Sequence, residues 1–241
     1  MANKTKSPMR GPVTPKQPNR LIISYYDLID LVPTTKNQEL ACEAWDDGDN
    51  LVLTGTAGTG KTYLALSLAF EQVLDENTDY DKVVIIRSIV ATRDPGHLPG
   101  TKQEKEDAFS SPYKALCNEL FDTEGAYGKL VAAKKLEFDS TSFIRGITWN
   151  NAIIVVDEMQ NLNFHELDTV ITRIGKNSRV ILSGDYKQTD FKYADEKEGI
   201  VKFLHIIEHM NNFTIVNFTW EDIVRSDFVR DYIMTKEMLG Y

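Results

Sequence analysis

The sequence predicts an α/β domain in which a mostly parallel sheet is covered by helices on both faces. Three observations support this fold class. Residues 51–74 combine an apolar strand, a glycine-rich loop and a helix, residues 152–158 form an apolar strand that ends in two acidic residues, and strands alternate with helices between and after them. Segments that alternate in this way pack as a sheet with helices on each side. The length of 241 residues suits one such domain over residues 21–241, after a separate arm at residues 1–20.

The first unit carries a phosphate-binding loop. The apolar run Leu51–Thr54 opens directly into Gly55-x-x-x-x-Gly60-Lys61-Thr62, which is the pattern of a loop that wraps nucleotide phosphates. Its glycines let several backbone N–H groups point at one spot. The predicted helix from Thr62 to about Leu74 directs its partly positive N-terminus at the same spot.

Two side chains of this loop have predicted chemical roles. Lys61 is placed to reach the β- and γ-phosphates of a nucleotide, and the Thr62 hydroxyl is placed to ligate Mg²⁺. The predicted nucleotide-binding residues are Gly55, Thr56, Ala57, Gly58, Thr59, Gly60, Lys61, Thr62 and Tyr63.

A helix is predicted at residues 35–45, ahead of the first strand, with Thr35 or Asn37 as its cap. Gln38 lies at the start of this helix. A glutamine in this position reads the adenine edge with its amide in many nucleotide motors, and an exposed helix N-terminus explains the same residue equally well. The residues alone leave both interpretations open.

The middle of the chain is predicted in four parts. Val83–Ile86 is a β-branched run, typical of a strand covered on both faces. Residues 89–111 are polar and rich in proline and glycine, which predicts a long loop that is either functional or mobile. A helix is predicted from Pro112 to about Phe121, with the proline in its first turn. Residues 122–142 are predicted as a small helical excursion and residues 143–148 as a short strand.

The second chemical landmark is Ala152–Val156, which runs directly into Asp157 and Glu158. Such a run is typical of a central parallel strand, and ligands bind at the carboxyl edge of these sheets. Asp157 is predicted to hold Mg²⁺, directly or through water, and Glu158 to orient and deprotonate the attacking water. A strand that ends in a solvated turn is the alternative for the pair alone, but its place downstream of a phosphate-binding loop favours the catalytic interpretation.

The helix after this pair is predicted to begin at Asn163, with Glu166 completing a capping box, and to end at Gly175. Arg173 projects away from its apolar stripe near the end. The next strand, Arg179–Ser183, leads into a polar tip that is placed to sense the γ-phosphate. The candidate sensors are Ser183, Asp185 and Gln188, with a plain Gly-Asp turn as the alternative.

The last strand is predicted at Phe213–Phe218 and a closing helix at Asp227–Leu239, with Arg225 and Arg230 near the start of that helix. Another helix, from Gly199 to Met210, precedes this strand.

Charge is unevenly distributed along the chain. The net charge is −9, yet residues 1–20 contain five lysines and arginines, four prolines and no acidic residue. These features predict a disordered basic arm on an acidic body. The arm is either a solvated tail or a segment that contacts nucleic acid or a neighbouring subunit. The chain has no run of about 18 apolar residues and no secretory signal, and its two cysteines show no zinc spacing, so we expect a cytoplasmic protein without a membrane partner.

Four segments together resemble the PhoH family of P-loop ATPases. They are Gly55-Thr-Ala-Gly-Thr-Gly-Lys-Thr62, Val155-Val-Asp-Glu-Met-Gln-Asn161, Thr172-Arg-Ile-Gly175 and Gly184-Asp-Tyr-Lys-Gln-Thr-Asp190. The order and spacing of these segments match the family pattern, as do their residue types, and the resemblance extends over about residues 37–233. The same Asp-Glu-x-Gln and Gly-Asp-x-x-Gln segments are similar to the first motor domain of superfamily-1 helicases.

The resemblance implies a RecA-like core with ATPase activity, ATP and Mg²⁺ as cofactors, and a link to RNA or single-stranded DNA. It favours Gln38 as the adenine reader, Lys61 and Thr62 as phosphate and Mg²⁺ ligands, and Asp157 with Glu158 for metal and water. Asp185 and Gln188 correspond to the sensing loop. The length resembles that of a short, phage-type member, which implies a bacterial or phage-infected cytoplasm. The family name suggests phosphate starvation.

A helicase closes ATP between two RecA-like lobes, and an arginine of the second lobe then stabilises the transferring phosphoryl group. This chain is predicted to have one lobe, so either a neighbouring copy in a homo-oligomer, such as a hexameric ring, supplies the arginine, or turnover is slow. The candidates are Arg173, Arg225 and Arg230, with ordinary surface salt bridges as the alternative for each of them. The leading hypothesis is Mg²⁺-dependent ATP hydrolysis coupled to remodelling of RNA or single-stranded DNA. The alternatives are a slow ATPase switch that acts on a protein partner and a small-molecule kinase.

Overall fold

The computed structural model describes residues 23–88, 102–141, 144, 146–185 and 194–239. The basic arm at residues 1–20 and the predicted sensor Gln188 lie outside these described residues. The helices are α1 (Lys36–Asp46), α2 (Lys61–Leu74), α3 (Lys102–Phe121), α4 (Ala126–Ala132), α5 (Phe164–Ile171), α6 (Ala194–Glu208) and α7 (Asp227–Met238). The strands are β1 (Asn50–Gly55), β2 (Lys82–Arg87), β3 (Leu136–Ser140), β4 (Ala152–Val156), β5 (Arg179–Gly184) and β6 (Phe213–Phe218).

The sheet is parallel throughout and confirms the predicted fold class. Its strand order is β3-β2-β4-β5-β1-β6, so β5 separates β1 from β4. In this register Leu53 of β1 lies beside Ser183 of β5, and Leu182 lies beside Val156 of β4. The carboxyl ends of the strands therefore share one edge of the sheet. The residues that follow β1, β4 and β5 meet at that edge.

Helices cover both faces of the sheet, as the apolar strands require. Leu51 and Leu53 of β1 pack into one apolar cluster with α1, α2, α3 and α4, whereas Val52, between them, packs into a second cluster with α5 and α6. All three side chains are buried. Successive side chains of a strand point to opposite faces, so burial of all three requires a helix layer on each side.

The predicted starts of α1 and α5 are confirmed. The Thr35 hydroxyl accepts a 3.3 Å hydrogen bond from the backbone N–H of Gln38. At α5, Asn163 Oδ1 accepts from the Glu166 N–H at 3.0 Å, and Glu166 Oε2 accepts from the Asn163 N–H at 2.9 Å. These bonds satisfy N–H groups that the first turn of a helix leaves without partners.

The prediction that α3 begins at Pro112 is wrong. The helix begins at Lys102, so Pro112 lies inside it. A proline there removes one backbone hydrogen bond, but residues 102–108 are mostly lysine, glutamine, glutamate and alanine, which favour helix. The buried side chains Tyr113, Cys117 and Leu120 recur at helical spacing and hold the second half of α3 against the core.

Two further predictions for the middle of the chain need correction. Residues 136–140, predicted within a helical excursion, form the edge strand β3, which pairs with β2. Only Leu136 and Ser140 of this strand are buried, so its apolar pattern is weak. Of residues 143–148, the described ones are not in a strand, and Gly146 adopts φ +83°, a left-handed conformation that interrupts a strand.

Helix α5 ends earlier than predicted. Its last residue is Ile171 rather than Gly175. The chain leaves the helix because Ile174 forms a β-bridge with Trp149, and the Gly175 N–H donates to the Trp149 carbonyl at 2.7 Å. Among the described residues, every helix is too short or too polar to cross a bilayer.

Candidate nucleotide site

The loop between β1 and α2 has the geometry of a phosphate cradle. Gly55, Gly58 and Gly60 adopt φ values of +111°, +77° and +80°, which side chains disfavour. At Gly55 space is also limiting, because a Cβ atom would lie 2.0 Å from the carbonyl oxygen of Phe218. With α2 starting at Lys61, the loop turns its backbone N–H groups and a helix N-terminus towards one point.

Lys61 folds back onto the loop that it belongs to. Its Nζ donates to the carbonyl oxygens of Gly55 at 2.8 Å and Thr56 at 2.7 Å. Burial lowers the pKa of Lys61, and the nearby carboxylates of Asp185, Glu158 and Asp157 act in the opposite direction. The ammonium group is therefore next to the cradle and within the field of the acidic residues that end β4 and β5.

Thr62 and Asp157 meet although 95 positions separate them. The Thr62 hydroxyl donates to Asp157 Oδ1 at 2.9 Å, and the Tyr113 hydroxyl donates to Asp157 Oδ2 at 2.8 Å. Asp157 is 5% exposed. Burial raises the pKa of Asp157, and the charge of Glu158 raises it further.

The oxygen atoms of Thr62 and Asp157 are the hard ligands that Mg²⁺ prefers. A cation beside Asp157 would also offset the charge that burial disfavours there. The described residues contain no cluster of three or more histidines, cysteines, aspartates or glutamates that could hold a metal without further help. Mg²⁺ typically takes one or two protein oxygens and completes its shell with water and phosphate oxygens, so this pair fits an ion that arrives with a nucleotide.

Glu158 and Asp185 are connected by Gln160. Glu158 has a left-handed backbone, with φ +52°, and its Oε2 accepts a hydrogen bond from Gln160 Nε2. Gln160 Oε1 in turn accepts from the Asp185 N–H at 3.0 Å. Gly184 permits this contact, since a Cβ atom there would lie 2.2 Å from Gln160 Oε1. Gln160 has no role predicted from the sequence, although it is the last residue of the Asp-Glu-x-Gln segment.

Gln38 forms part of the loop's supporting wall. Its Nε2 donates to the Thr59 carbonyl at 3.3 Å, and its Oε1 accepts from the N–H and the hydroxyl of Thr34 at 2.9 and 3.1 Å. Gln38 is 7% exposed, so it is not part of an exposed helix end. These contacts use the amide oxygen and one of the two amide N–H groups of Gln38.

The end of β6 and the segment that follows it, residues 218–233, pack against the phosphate loop. The Thr56 N–H donates to the Phe218 carbonyl and the Val224 N–H donates to the Gly58 carbonyl, both at 3.1 Å. Arg225 Cγ and Ile233 Cδ1 lie 3.2 Å from the position that a Cβ atom of Gly58 would take. From the sequence, Arg225 is one of three candidates for an arginine supplied by a neighbouring copy, whereas the structure places it beside the phosphate loop of its own chain.

The other two candidate arginines lie elsewhere. The carbonyl of Arg173 accepts from the N–H of Trp149, just before β4, so Arg173 is at the amino edge of the sheet, opposite the cradle. Arg230 is half-buried in the first turn of α7, with its N–H bonded to the Ser226 carbonyl. The structure thus brings together Lys61, Thr62, Asp157, Glu158 and Asp185 and separates Arg173 from them.

Comparisons with known proteins agree with this geometry. The family model for PhoH-like protein matches residues 30–236. The chain belongs to the PhoH-like family. The PhoH-like protein of Mycobacterium leprae (strain TN) is 31% identical over 202 residues, which are 83% of this chain and 57% of that protein. Protein PhoH of Escherichia coli (strain K12) is 33% identical over 175 residues, which are 72% of this chain and 49% of that protein.

The family match extends to the fold but not to the whole length of its members. This chain spans about half the length of the curated PhoH-like relatives that it matches. The large terminase from a thermophilic bacteriophage, solved in complex with ATP-gamma-S, has a TM-score of 0.51 to this chain at 14% identity, covering 86% of this chain and 49% of the terminase. The parallel sheet, the loop after β1 and this likeness give the PhoH-like chain a RecA-like P-loop NTPase fold.

Proposed function

We propose that this PhoH-like chain binds ATP with Mg²⁺ and hydrolyses its terminal phosphate. The hydrogen bond between Thr62 and Asp157, made beside the Lys61 ammonium, is the observation that carries the proposal. It joins the phosphate loop to the end of β4. A carboxylate and a threonine hydroxyl held together at a phosphate cradle are the arrangement that P-loop NTPases use for magnesium.

Each residue has a role that follows from its position. Lys61 would exchange the carbonyls of Gly55 and Thr56 for phosphate oxygens, since those carbonyls are weaker partners for an ammonium group than an anion. Thr62 and Asp157 would hold Mg²⁺, which when bound neutralises charge on the phosphates. Glu158, oriented by Gln160, would accept a proton from the attacking water.

The strand order supports one orientation for the bound nucleotide. Glu158 and Asp185 follow β4 and β5, on one side of β1, so the terminal phosphate belongs on that side. Gln38 and residues 218–233 flank the loop on the β6 side. The nucleoside therefore extends towards β6, where the Gln38 amide supports a preference for adenine.

Release of inorganic phosphate from ATP by the full chain tests the proposal. Replacing Glu158 by glutamine should lower the rate by about 10²–10⁴-fold, the usual contribution of a general base, with ATP binding retained. Lys61→Ala should lose ATP binding. Lys176→Ala, exposed at the opposite edge of the sheet, is the matched control and should hydrolyse like wild type. A wild-type rate that is indifferent to EDTA, or an unimpaired Glu158→Gln, would contradict the assignment.

We further propose that the chain acts as a homo-oligomer on RNA or single-stranded DNA. Support for the oligomer comes from α7, which buries none of its residues and exposes Phe228 (82%) and Tyr232 (65%). The same helix contacts the phosphate loop through Ile233. Large exposed apolar side chains grouped on one helix are typical of protein contacts. Support for nucleic acid comes from the basic composition of residues 1–20.

The exposed apolar side chains of α7 also favour the second candidate, a slow ATPase switch that acts on a different protein. Hydrolysis measured against protein concentration, with and without single-stranded RNA or DNA, separates the two candidates. A rate per chain that rises with concentration and with either polymer supports the oligomeric motor. A rate per chain that changes with neither protein concentration nor added polymer supports the switch.

A further inference from the structure

Tyr113 lies in the middle of α3, and its side chain is buried next to the candidate metal site. Its ring is fully enclosed and packs 5.7 Å from the ring of Phe138, centroid to centroid. Its hydroxyl does not face another apolar group but donates to Asp157 Oδ2 at 2.8 Å. Arg87, at the end of β2, is close enough for its charge to act on this hydroxyl.

The partner of this hydroxyl determines where the tyrosine proton points. An ionised carboxylate only accepts hydrogen bonds, so Tyr113 is the donor and its single hydroxyl proton is directed at Asp157.

The two oxygens of Asp157 are consequently not equivalent. Oδ2 is taken by Tyr113, whereas Oδ1 faces the Thr62 hydroxyl at 2.9 Å. A carboxylate held at one oxygen cannot rotate to present both oxygens to a cation. Groups that orient a metal ligand in this way contribute to metal affinity without touching the metal.

We propose that Tyr113 is a positioning residue for Asp157: it holds Oδ2 so that Oδ1 alone, together with Thr62, is offered to Mg²⁺. This inference rests on the proposed function of the site. Tyr113 touches neither nucleotide nor metal in this scheme, and its effect passes through the carboxylate. Ring packing alone does not account for a tyrosine at this position. A phenylalanine would fill the same space but would leave Asp157 Oδ2 buried without its hydrogen-bond donor.

The test measures the factor by which a divalent cation strengthens ADP binding to the full chain. ADP affinity is determined by calorimetry with saturating Mn²⁺ and again in EDTA, and the ratio of the two is the metal coupling. Tyr113→Phe should lower this ratio by about 10-fold or more, as loss of an orienting partner does at other metal sites. ADP affinity in EDTA should stay within about twofold of wild type, because the phosphate loop is unchanged.

Tyr127→Phe is the matched control. It removes a hydroxyl from a partly buried tyrosine on α4 that packs against the same apolar cluster. The hydrogen bonds from Thr62 and Tyr113 to Asp157 stay in place in this variant, so its coupling ratio should equal that of wild type. An unchanged ratio in Tyr113→Phe overturns the positioning role. A wild-type ratio of one instead overturns the proposed Mg²⁺ site, so the two failures are distinguishable.

A second variant keeps the inference testable if Tyr113→Phe does not fold. The expected cause would be the buried charge of Asp157, whose Oδ2 has lost its hydrogen-bond donor. Tyr113→Phe combined with Asp157→Asn removes that charge and should restore a cooperative thermal transition. If the double variant also fails to fold, Tyr113 supports the core rather than the carboxylate and the inference is wrong.

Discussion

The Thr62 hydroxyl and Asp157 Oδ1 lie 2.9 Å apart at the carboxyl edge of the sheet, although β5 separates β1, which leads to Thr62, from β4, which leads to Asp157. Thr62 reaches across this gap because it lies in the first turn of α2, a helix that packs against both β5 and β4. The pair depends on the strand order, since any other position of β5 would change the separation of β1 and β4. Residues distant in the chain become one candidate metal site through topology.

The Thr62 hydroxyl should therefore be essential to metal-dependent binding, and its methyl group should not. Thr62→Val keeps the shape of the side chain and removes the donor, whereas Thr62→Ser keeps the donor. We expect Thr62→Val to lower the hydrolysis rate by about 10²-fold, because loss of a direct metal ligand should cost at least as much as loss of a group that only orients one. Thr62→Ser should stay within about fivefold of wild type. Phosphate release at several Mg²⁺ concentrations provides the measurement. Equal rates for valine and serine variants would contradict the pairing.

Gly55 should tolerate no side chain. Its φ of +111° and the 2.0 Å approach of the Phe218 carbonyl to a Cβ atom act together. We expect Gly55→Ala to lower the free energy of unfolding by more than about 2 kcal/mol, since the left-handed backbone alone costs about 1–2 kcal/mol. Urea unfolding followed by circular dichroism measures it.

Gly128 provides the control for this substitution. It lies inside α4 with nothing within 4 Å of an added Cβ atom and no positive φ. Alanine is favoured over glycine in a helix by about 0.5–1 kcal/mol, so Gly128→Ala should stabilise the chain slightly. If both variants lose stability equally, backbone conformation at Gly55 is not the cause.

Much of this site was predictable because its residues occur in local patterns. The strand, glycine loop and lysine of residues 51–62 and the acidic end of β4 are each recognisable within a few positions. The bond of Tyr113 to Asp157 and the position of Arg225 beside Gly58 were not predicted, because each joins residues that are far apart in the chain. A tyrosine at helical spacing in an apolar stripe predicts only a core position. The edge strand β3 was missed for a related reason, since pairing with β2, rather than its own pattern, holds it in the sheet.

Cys117 should be unreactive until the chain unfolds. It is fully buried on α3, and burial raises the pKa of its thiol from 9.0 to about 12. Only the thiolate reacts with disulfide reagents, so at pH 8 we expect folded Cys117 to react at least about 10²-fold more slowly than the unfolded chain. Thiol titration of Cys42→Ala, which leaves Cys117 as the single cysteine, provides the measurement. Rapid native-state modification would contradict the burial.

The same shift predicts how stability depends on pH. The folded chain holds the Cys117 proton more tightly than the unfolded chain, so this contribution is complete below pH 9 and is lost as the pH rises towards about 12. The difference in unfolding free energy between Cys42→Ala and the variant that also carries Cys117→Ala should therefore shrink from pH 9 upwards. A difference that stays constant to pH 11 would show that the thiol does not titrate between the two states in this way.

Arg225 and Arg173 should behave differently when inactive chains are mixed. Arg225 lies beside Gly58 of its own phosphate loop, whereas Arg173 lies at the other edge of a sheet whose strands are on the order of 15 Å long. Lys61→Ala chains have an inactive site but intact arginines. If hydrolysis is lost in Arg225→Ala, adding Lys61→Ala chains should not restore it, because the arginine serves the chain that carries it. A loss in Arg173→Ala should be restored by the same addition, since this side chain reaches a phosphate site only on another copy. Restoration of Arg225→Ala would mean that the contact with Gly58 is not the one used in hydrolysis.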